Sequence, residues 1–192
     1  MTFLTGGGRW FPALLALVLT TVQVSFAAPG SGHKRSTHPA HTPYAFALGD
    51  SVMEGAAPEL ARRGIVVNAI KSRQFLQGIA ILQTMRAARP LPQRVVIGLG
   101  TNGPITQAEF NAMMQVLRGV NRVVFVTVKE PLYWEAQVNA VIRAGVKRWP
   151  NARIADWYAY AAAHPAVVCC DGMHVGPAGA RAYARIVAAA LR

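Results

Sequence analysis

Residues 44–55, Tyr44-Ala45-Phe46-Ala47-Leu48-Gly49-Asp50-Ser51-Val52-Met53-Glu54-Gly55, decide the fold. An apolar run at 44–48 ends on Gly-Asp-Ser, and a helical pattern follows at 54–63. A strand that breaks on glycine into a helix is half of a strand–helix–strand unit. The pattern then recurs. Runs at 65–69, 94–98, 122–128 and 152–156 are short and mostly rich in Val, Ile and Phe, as strands are. Between them, 74–88, 106–117 and 134–149 carry apolar residues at helical spacing. Thr106 with Glu109 makes a capping box at the start of the third helix. Pro177 opens a last helix, to about 191, with Ala, Ile and Val along one face. The alternation predicts an α/β fold, a parallel sheet of about five strands with helices on both faces. At 192 residues and 53% hydrophobic composition the chain can bury one substantial core, and the length calls for no second domain.

Ligands on such sheets bind beyond the carboxyl ends of the strands. Three islands fall there: Gly49-Asp50-Ser51 after the first strand, Gly100-Thr101-Asn102-Gly103 after the third, and Asp171-Gly172-Met173-His174 beyond the fifth. A hydroxyl is a poor nucleophile at neutral pH, so ester chemistry needs a serine, an imidazole to take its proton and donors for the developing oxyanion. Ser51, between a strand and a helix start, turns its backbone N–H and a helix dipole toward an anion. Asp171, three residues before His174, can reach back to Nδ1 and leave Nε2 for the serine. Asn102 can donate its amide to the oxyanion; the alternative is that it only stabilises the glycine-rich turn. Gly-Asp-Ser and Asp-x-x-His each occur in many turns, and it is their combination that points to serine-based ester chemistry.

The ends of the chain read differently. Arg9, the apolar run 10–20 and small residues at Ser25 and Ala27 form a secretory signal pattern (1–27) with cleavage expected after Ala27. A retained membrane anchor is the alternative, against which the stretch is shorter than the ~20 apolar residues of a span. Residues 28–43 are rich in Gly, Ser, Thr, Pro and His and read as a flexible linker; its His33, His38 and His41 offer no defined metal geometry. The domain proper is 44–192. A formal charge of +12 would draw an exported protein to anionic cell-wall polymers or lipid head groups. It serves equally to keep an Ala-rich surface soluble. The arginines are scattered along the chain without an aromatic-basic repeat, which argues against nucleic acid. Cys169 and Cys170 are adjacent, whereas bridged cysteines have Cα atoms about 5.5 Å apart, so they read as free or packed. Oxidation beside Asp171 could disturb the site.

With these residues in place, the sequence resembles the SGNH, or GDSL-type, hydrolase family. The match rests on Gly49-Asp50-Ser51-Val52-Met53-Glu54-Gly55-Ala56, Gly100-Thr101-Asn102-Gly103 and Asp171-Gly172-Met173-His174, in family order, and covers nearly all of 44–192. It implies a flavodoxin-like three-layer α/β/α sandwich, with Ser51 as nucleophile, His174 as base and Asp171 as its orienting acid. Ser72-Arg73-Gln74, residues 98–103, Trp134-Glu135-Ala136-Gln137-Val138-Asn139 and Asp156-Trp157 look most like the extracytoplasmic SGNH domain of peptidoglycan O-acetyltransferases. There are two departures. The glycine that usually gives the third oxyanion hydrogen bond is Ser72 here, which keeps a backbone N–H but narrows the pocket. The transferases also carry a multi-span acyl-export domain, which these residues do not spell, so transfer would draw on a separate membrane acyl donor.

Tyr133, Trp134 and Glu135, leading into the fourth long helix, are candidates for the acyl or sugar pocket, with packing as the alternative. His164 reads as a cap or a surface filler. The expectation is an exported serine esterase that removes a short O-acyl group, most plausibly acetyl, from a carbohydrate through an acyl-enzyme at Ser51, with no metal or organic cofactor. The alternatives are an O-acetyltransferase on cell-wall glycan using the same residues and a non-catalytic cell-wall binding module.

Overall fold

A computed structural model of the chain describes residues 45–169 and 171–192. The expectations for 1–27 and 28–43, with their histidines, and for Cys170 lie outside the described residues. Five parallel strands form one sheet in the order β2-β1-β3-β4-β5: β1 Ala45–Gly49, β2 Ile65–Ala69, β3 Arg94–Gly98, β4 Arg122–Val126 and β5 Ala152–Ala155. Among the described residues six α-helices accompany them: α1 Ser51–Ala61, α2 Phe75–Ala88, α3 Gln107–Val116, α4 Glu135–Val146, α5 Trp157–Ala163 and α6 Pro177–Ala190. A 3-10 turn covers Pro165–Val167. Among the described residues no helix is long and apolar enough to cross a membrane.

Side chains alternate across the sheet with period two. Phe46, Leu48, Ile97 and Phe125 face one cluster, with Phe75 and Leu82 of α2, Phe110 and Met113 of α3 and Ile142 of α4. Ala45, Ala47, Val96 and Val124 face the other, with Met53 and Leu60 of α1, Trp157 of α5 and Tyr183 and Val187 of α6. Burial of each large apolar side chain stabilises the fold by roughly 1.5–3 kcal/mol. The alanines of β1 leave room for α1 and α6 to lie close to the sheet and to each other.

The expected α/β alternation and the capping box are present. Thr106 Oγ1 accepts the Glu109 N–H at 3.2 Å, and Glu109 Oε2 accepts the Thr106 N–H at 2.6 Å. Strand β4 stops at Val126 rather than 128 and helix α4 at Val146 rather than 149, and two further elements differ from expectation. Helix α1 starts at Ser51 rather than 54, because buried Asp50 caps it, taking the Val52 N–H on Oδ1 at 3.1 Å. Helix α5 and the turn after it were not foreseen. Asp156 caps α5 through the Ala159 N–H, and the same carboxylate accepts from Thr127 Oγ1 and Arg143.

Candidate active site

From β1 the chain crosses to β2 on one side and then to β3 on the other, so the sheet has its switch point between β1 and β3, where such folds open a crevice. Gly49 and Gly98 stand side by side there, and the Asp50 N–H donates to the Gly98 carbonyl at 3.2 Å. Met53 lies over both glycines. A Cβ on Gly98 would come within 2.6 Å of Met53 Cε and 2.7 Å of the Tyr183 hydroxyl. Ser51, the first helical residue, has a backbone N–H with no intrahelical acceptor and sits at the positive end of the dipole of α1. Burial raises the Asp50 carboxyl to about 6, opposed by hydrogen bonds from Val52 and Thr101.

The loops after β2 and β3 close around this point. Arg73 is buried; its guanidinium donates to the Gly49 carbonyl at 3.0 Å, the Asn68 carbonyl at 2.6 Å and Asn68 Oδ1 at 2.8 Å, which pins the loop to the ends of β1 and β2. Just before it, Ser72 has φ of 59°, in the left-handed region that favours glycine. The glycine-like backbone is therefore kept where the sequence departs from the family, at a cost of roughly 1 kcal/mol. Asn102, half-buried, donates its amide to the Arg73 carbonyl at 3.4 Å, which brings the Asn102 and Ser72 loops together.

The last island is held by its own hydrogen bonds. Val168 and Val175 form an antiparallel bridge, and the Cys169 N–H donates to the His174 carbonyl at 2.7 Å. Cys169 is an exposed free thiol. Asp171 Oδ1 accepts the Met173 and His174 N–H groups, each at 3.0 Å, while Oδ2 lies 2.6 Å from His174 Nδ1. The His174 hydrogen bond, followed by the two backbone donors, lowers the Asp171 carboxyl to about 2. An ionised carboxylate only accepts, so Nδ1 carries the proton and Nε2 is left as an acceptor. His174 Nε2 lies 2.9 Å from Ser51 Oγ. Ser51 and His174, 123 residues apart in sequence, meet with Asp171 in the geometry of a nucleophile, base and orienting acid.

The loop from β4 to α4 flanks this group. A Cβ on Gly172 would lie 3.9 Å from Pro131, so the loop abuts the Asp171 island. Trp134 Nε1 donates to the Thr101 carbonyl at 3.4 Å, and its ring packs on the core. Glu135 accepts from Lys129 Nζ at 3.2 Å and from the Glu130 N–H at 2.6 Å. Trp134 and Glu135 thus hold the loop together, while Tyr133, 88% exposed and edge-on to Trp134, is the member of the three that is open to a ligand. His164 stacks on Tyr160 with Nδ1 2.9 Å from the Tyr160 carbonyl, at the end of α5.

Three residues of this region were missed as individuals. Asp50 had a readable signal, a helix cap placed two residues before Val52. Arg73 had none beyond its place in a family motif. Glu130 is 1% exposed, and neither of its carboxylate oxygens has a hydrogen-bond partner of ordinary geometry. Burial, then the neighbouring Glu135 and Asp50, push its carboxyl up to about 8. Among the described residues no cluster of three or more His, Cys, Asp or Glu side chains is placed to hold a metal ion.

No family model matches the chain. The peptidoglycan O-acetyltransferase OatA of Listeria monocytogenes is 30% identical over 139 residues, covering 71% of this chain and 22% of that protein. The chain spans 22–24% of the length of the full-length relatives it matches. The C-terminal catalytic domain of Streptococcus pneumoniae OatA, solved with a methylsulfonyl adduct, is 28% identical with a TM-score of 0.70, covering 77% of this chain and 91% of that one. TesA shares the fold at 19% identity, with a TM-score of 0.62 over 77% of this chain and 97% of that one. The chain is similar to peptidoglycan O-acetyltransferases and to the catalytic domain of one of them, and it shares the fold of solved SGNH and GDSL-type hydrolases.

Proposed function

We propose that residues 44–192 form an exported serine enzyme that takes a short acyl group, acetyl by preference, on Ser51 and releases it from, or passes it to, a cell-wall carbohydrate. The observation that carries the reading is the continuous contact from Ser51 Oγ through the His174 ring to Asp171. Ser51 Oγ attacks the ester carbonyl as its proton passes to His174 Nε2. The backbone N–H groups of Ser51 and Ser72 and the amide of Asn102 receive the oxyanion. Collapse expels the alcohol, which takes the proton from His174 and leaves an acyl-serine. A second hydroxyl, activated by the same imidazole, attacks the acyl carbon and frees Ser51. Water makes the protein an esterase, and a sugar hydroxyl makes it a transferase.

The relatives named as peptidoglycan O-acetyltransferases favour the second outcome. A non-catalytic wall-binding module would have no use for an aligned base and nucleophile. Export follows from the signal pattern at 1–27, with 28–43 as linker to the domain. The test measures acetate release from an activated acetyl ester with and without a chitooligosaccharide acceptor, with Ser51→Ala as control. Ser51-dependent acetylation of the sugar at the expense of free acetate supports transfer, and release that ignores the acceptor supports hydrolysis. Turnover that survives Ser51→Ala contradicts both.

A further inference from the structure

Five of the arginines that are scattered in sequence lie at one end of the sheet. At the end of the sheet opposite Ser51, an open cavity of about 540 Å³ is lined by Arg86, Arg89 and Arg118 together with Pro90, Leu91 and Gly119. Arg94 and Arg122, the first residues of β3 and β4, stand next to each other in register at the same end. Seven of the eight carboxylates of the chain lie at the other end: Asp50, Glu54, Glu109, Glu130, Glu135, Asp156 and Asp171 follow a strand or open a helix there. The eighth, Glu59, is paired with Arg62 and Arg63. Among the described residues no carboxylate lines the cavity.

Part of this distribution is ordinary, since cations favour helix C-termini and anions N-termini. Arg86, in the last turn of α2, also donates to the Val116 and Arg118 carbonyls at 2.7 and 2.6 Å, satisfying the end of α3. Neither role accounts for a concave site ringed by three guanidinium groups. Such a cluster lowers its self-repulsion by taking up anions.

We propose that this cavity binds a linear phosphodiester polymer and so holds the domain at an anionic wall while Ser51, at the far end of strands about 17 Å long, faces the glycan. Beyond the proposed reaction, the inference stands on the cavity alone. Three observations select the ligand. All three charged side chains that line the cavity are arginine, whose planar fork matches phosphate oxygens. No aromatic side chain lines the cavity among the described residues, so the stacking surface that single-stranded nucleic acid uses is missing. Of the large exposed apolar side chains among the described residues, Ile70, Leu76, Leu132 and Tyr133 lie at the Ser51 end, and Val66, near the start of β2, is outside the cavity lining, so no exposed large apolar side chain rims the cavity to enter a bilayer.

The test is binding of purified poly(glycerol phosphate) to the protein. Contacts to three phosphates release counterions, so the affinity should fall about twentyfold between 50 and 200 mM salt. Arg89→Gln with Arg118→Gln should weaken binding about tenfold and leave hydrolysis of a small acetyl ester unchanged. These two are used first because loss of Arg86 would also free the carbonyls ending α3. Arg181→Gln with Arg185→Gln, which removes the same charge from α6, should change binding by less than about twofold. Equal loss in both double variants, no loss in the first, or no binding at 50 mM salt would overturn the proposal. So would binding as tight to an oligothymidylate or to phosphatidylglycerol vesicles.

Discussion

The two halves of the candidate catalytic group are built in opposite ways. Ser51 stands on the sheet: glycines at 49 and 98, Met53 over them, buried Asp50 at the helix cap and buried Arg73 under the Gly49 carbonyl set its position from all sides. Asp171 and His174 stand on a loop, with side chains 46% and 43% exposed, and are held by a short bridge and by the hydrogen bonds of Asp171 itself. Ser51 inherits its orientation from the fold. His174 receives its orientation from one carboxylate. Substitutions at the first region should therefore be felt in stability as well as rate, and substitutions at the second almost wholly in rate.

Asp171→Asn breaks this comparison most directly. The amide can donate to Nδ1, which favours the tautomer with the proton on Nε2, where it cannot accept from Ser51. Turnover should fall about 10⁴-fold, with a melting temperature close to that of the parent. A large loss of stability would show the loop to be part of the folded frame. Asn102→Ala comes next, with kcat expected to fall roughly 10²–10³-fold and KM to change little; an unchanged kcat would take Asn102 out of the oxyanion site.

On the sheet side the expected effects are on stability. Glu130 holds its proton more tightly when folded, so between its ordinary 4.5 and about 8 the folded chain keeps a proton that the unfolded chain has given up. Stability should then fall as pH rises through that window. Glu130→Gln should remove this contribution and gain on the order of 2 kcal/mol at pH 8 relative to pH 5, as read by denaturant unfolding at the two pH values. Identical pH slopes for parent and variant would show the carboxyl to be solvated. The smallest effect expected is that of Ser72→Gly, which relieves the left-handed backbone but frees the unfolded chain, for a net gain of about 0.5 kcal/mol. A rate rise with it would mean that the serine side chain narrows the pocket.

What the sequence made legible follows the same division. Strand–helix alternation, the Thr106–Glu109 cap and the placing of the islands beyond strand ends are local patterns, and they carry the fold. Ser51, His174 and Asp171 were legible because a short motif names each of them. Helix α5 was missed because seven residues of Trp, Tyr and Ala show no period, and its start depends on Asp156 being held by Thr127 and Arg143 from other elements. Burial of Glu130 and Arg73 was illegible because a charged residue in a loop reads as solvated, and only tertiary packing shows otherwise. The arginine-lined cavity was hidden for the same reason, since its members are 32 residues apart in the chain and meet only where α2 and α3 end.

The central claim is that Ser51 becomes acylated with His174 as its base. Peptide mapping by mass spectrometry of protein quenched during turnover of an acetyl ester tests it most directly. The account predicts an acetyl group on the peptide that contains Ser51, lost in Ser51→Ala and formed far more slowly in His174→Ala. Ester consumption with no acyl group on Ser51, or with the acyl group on another residue, would contradict it.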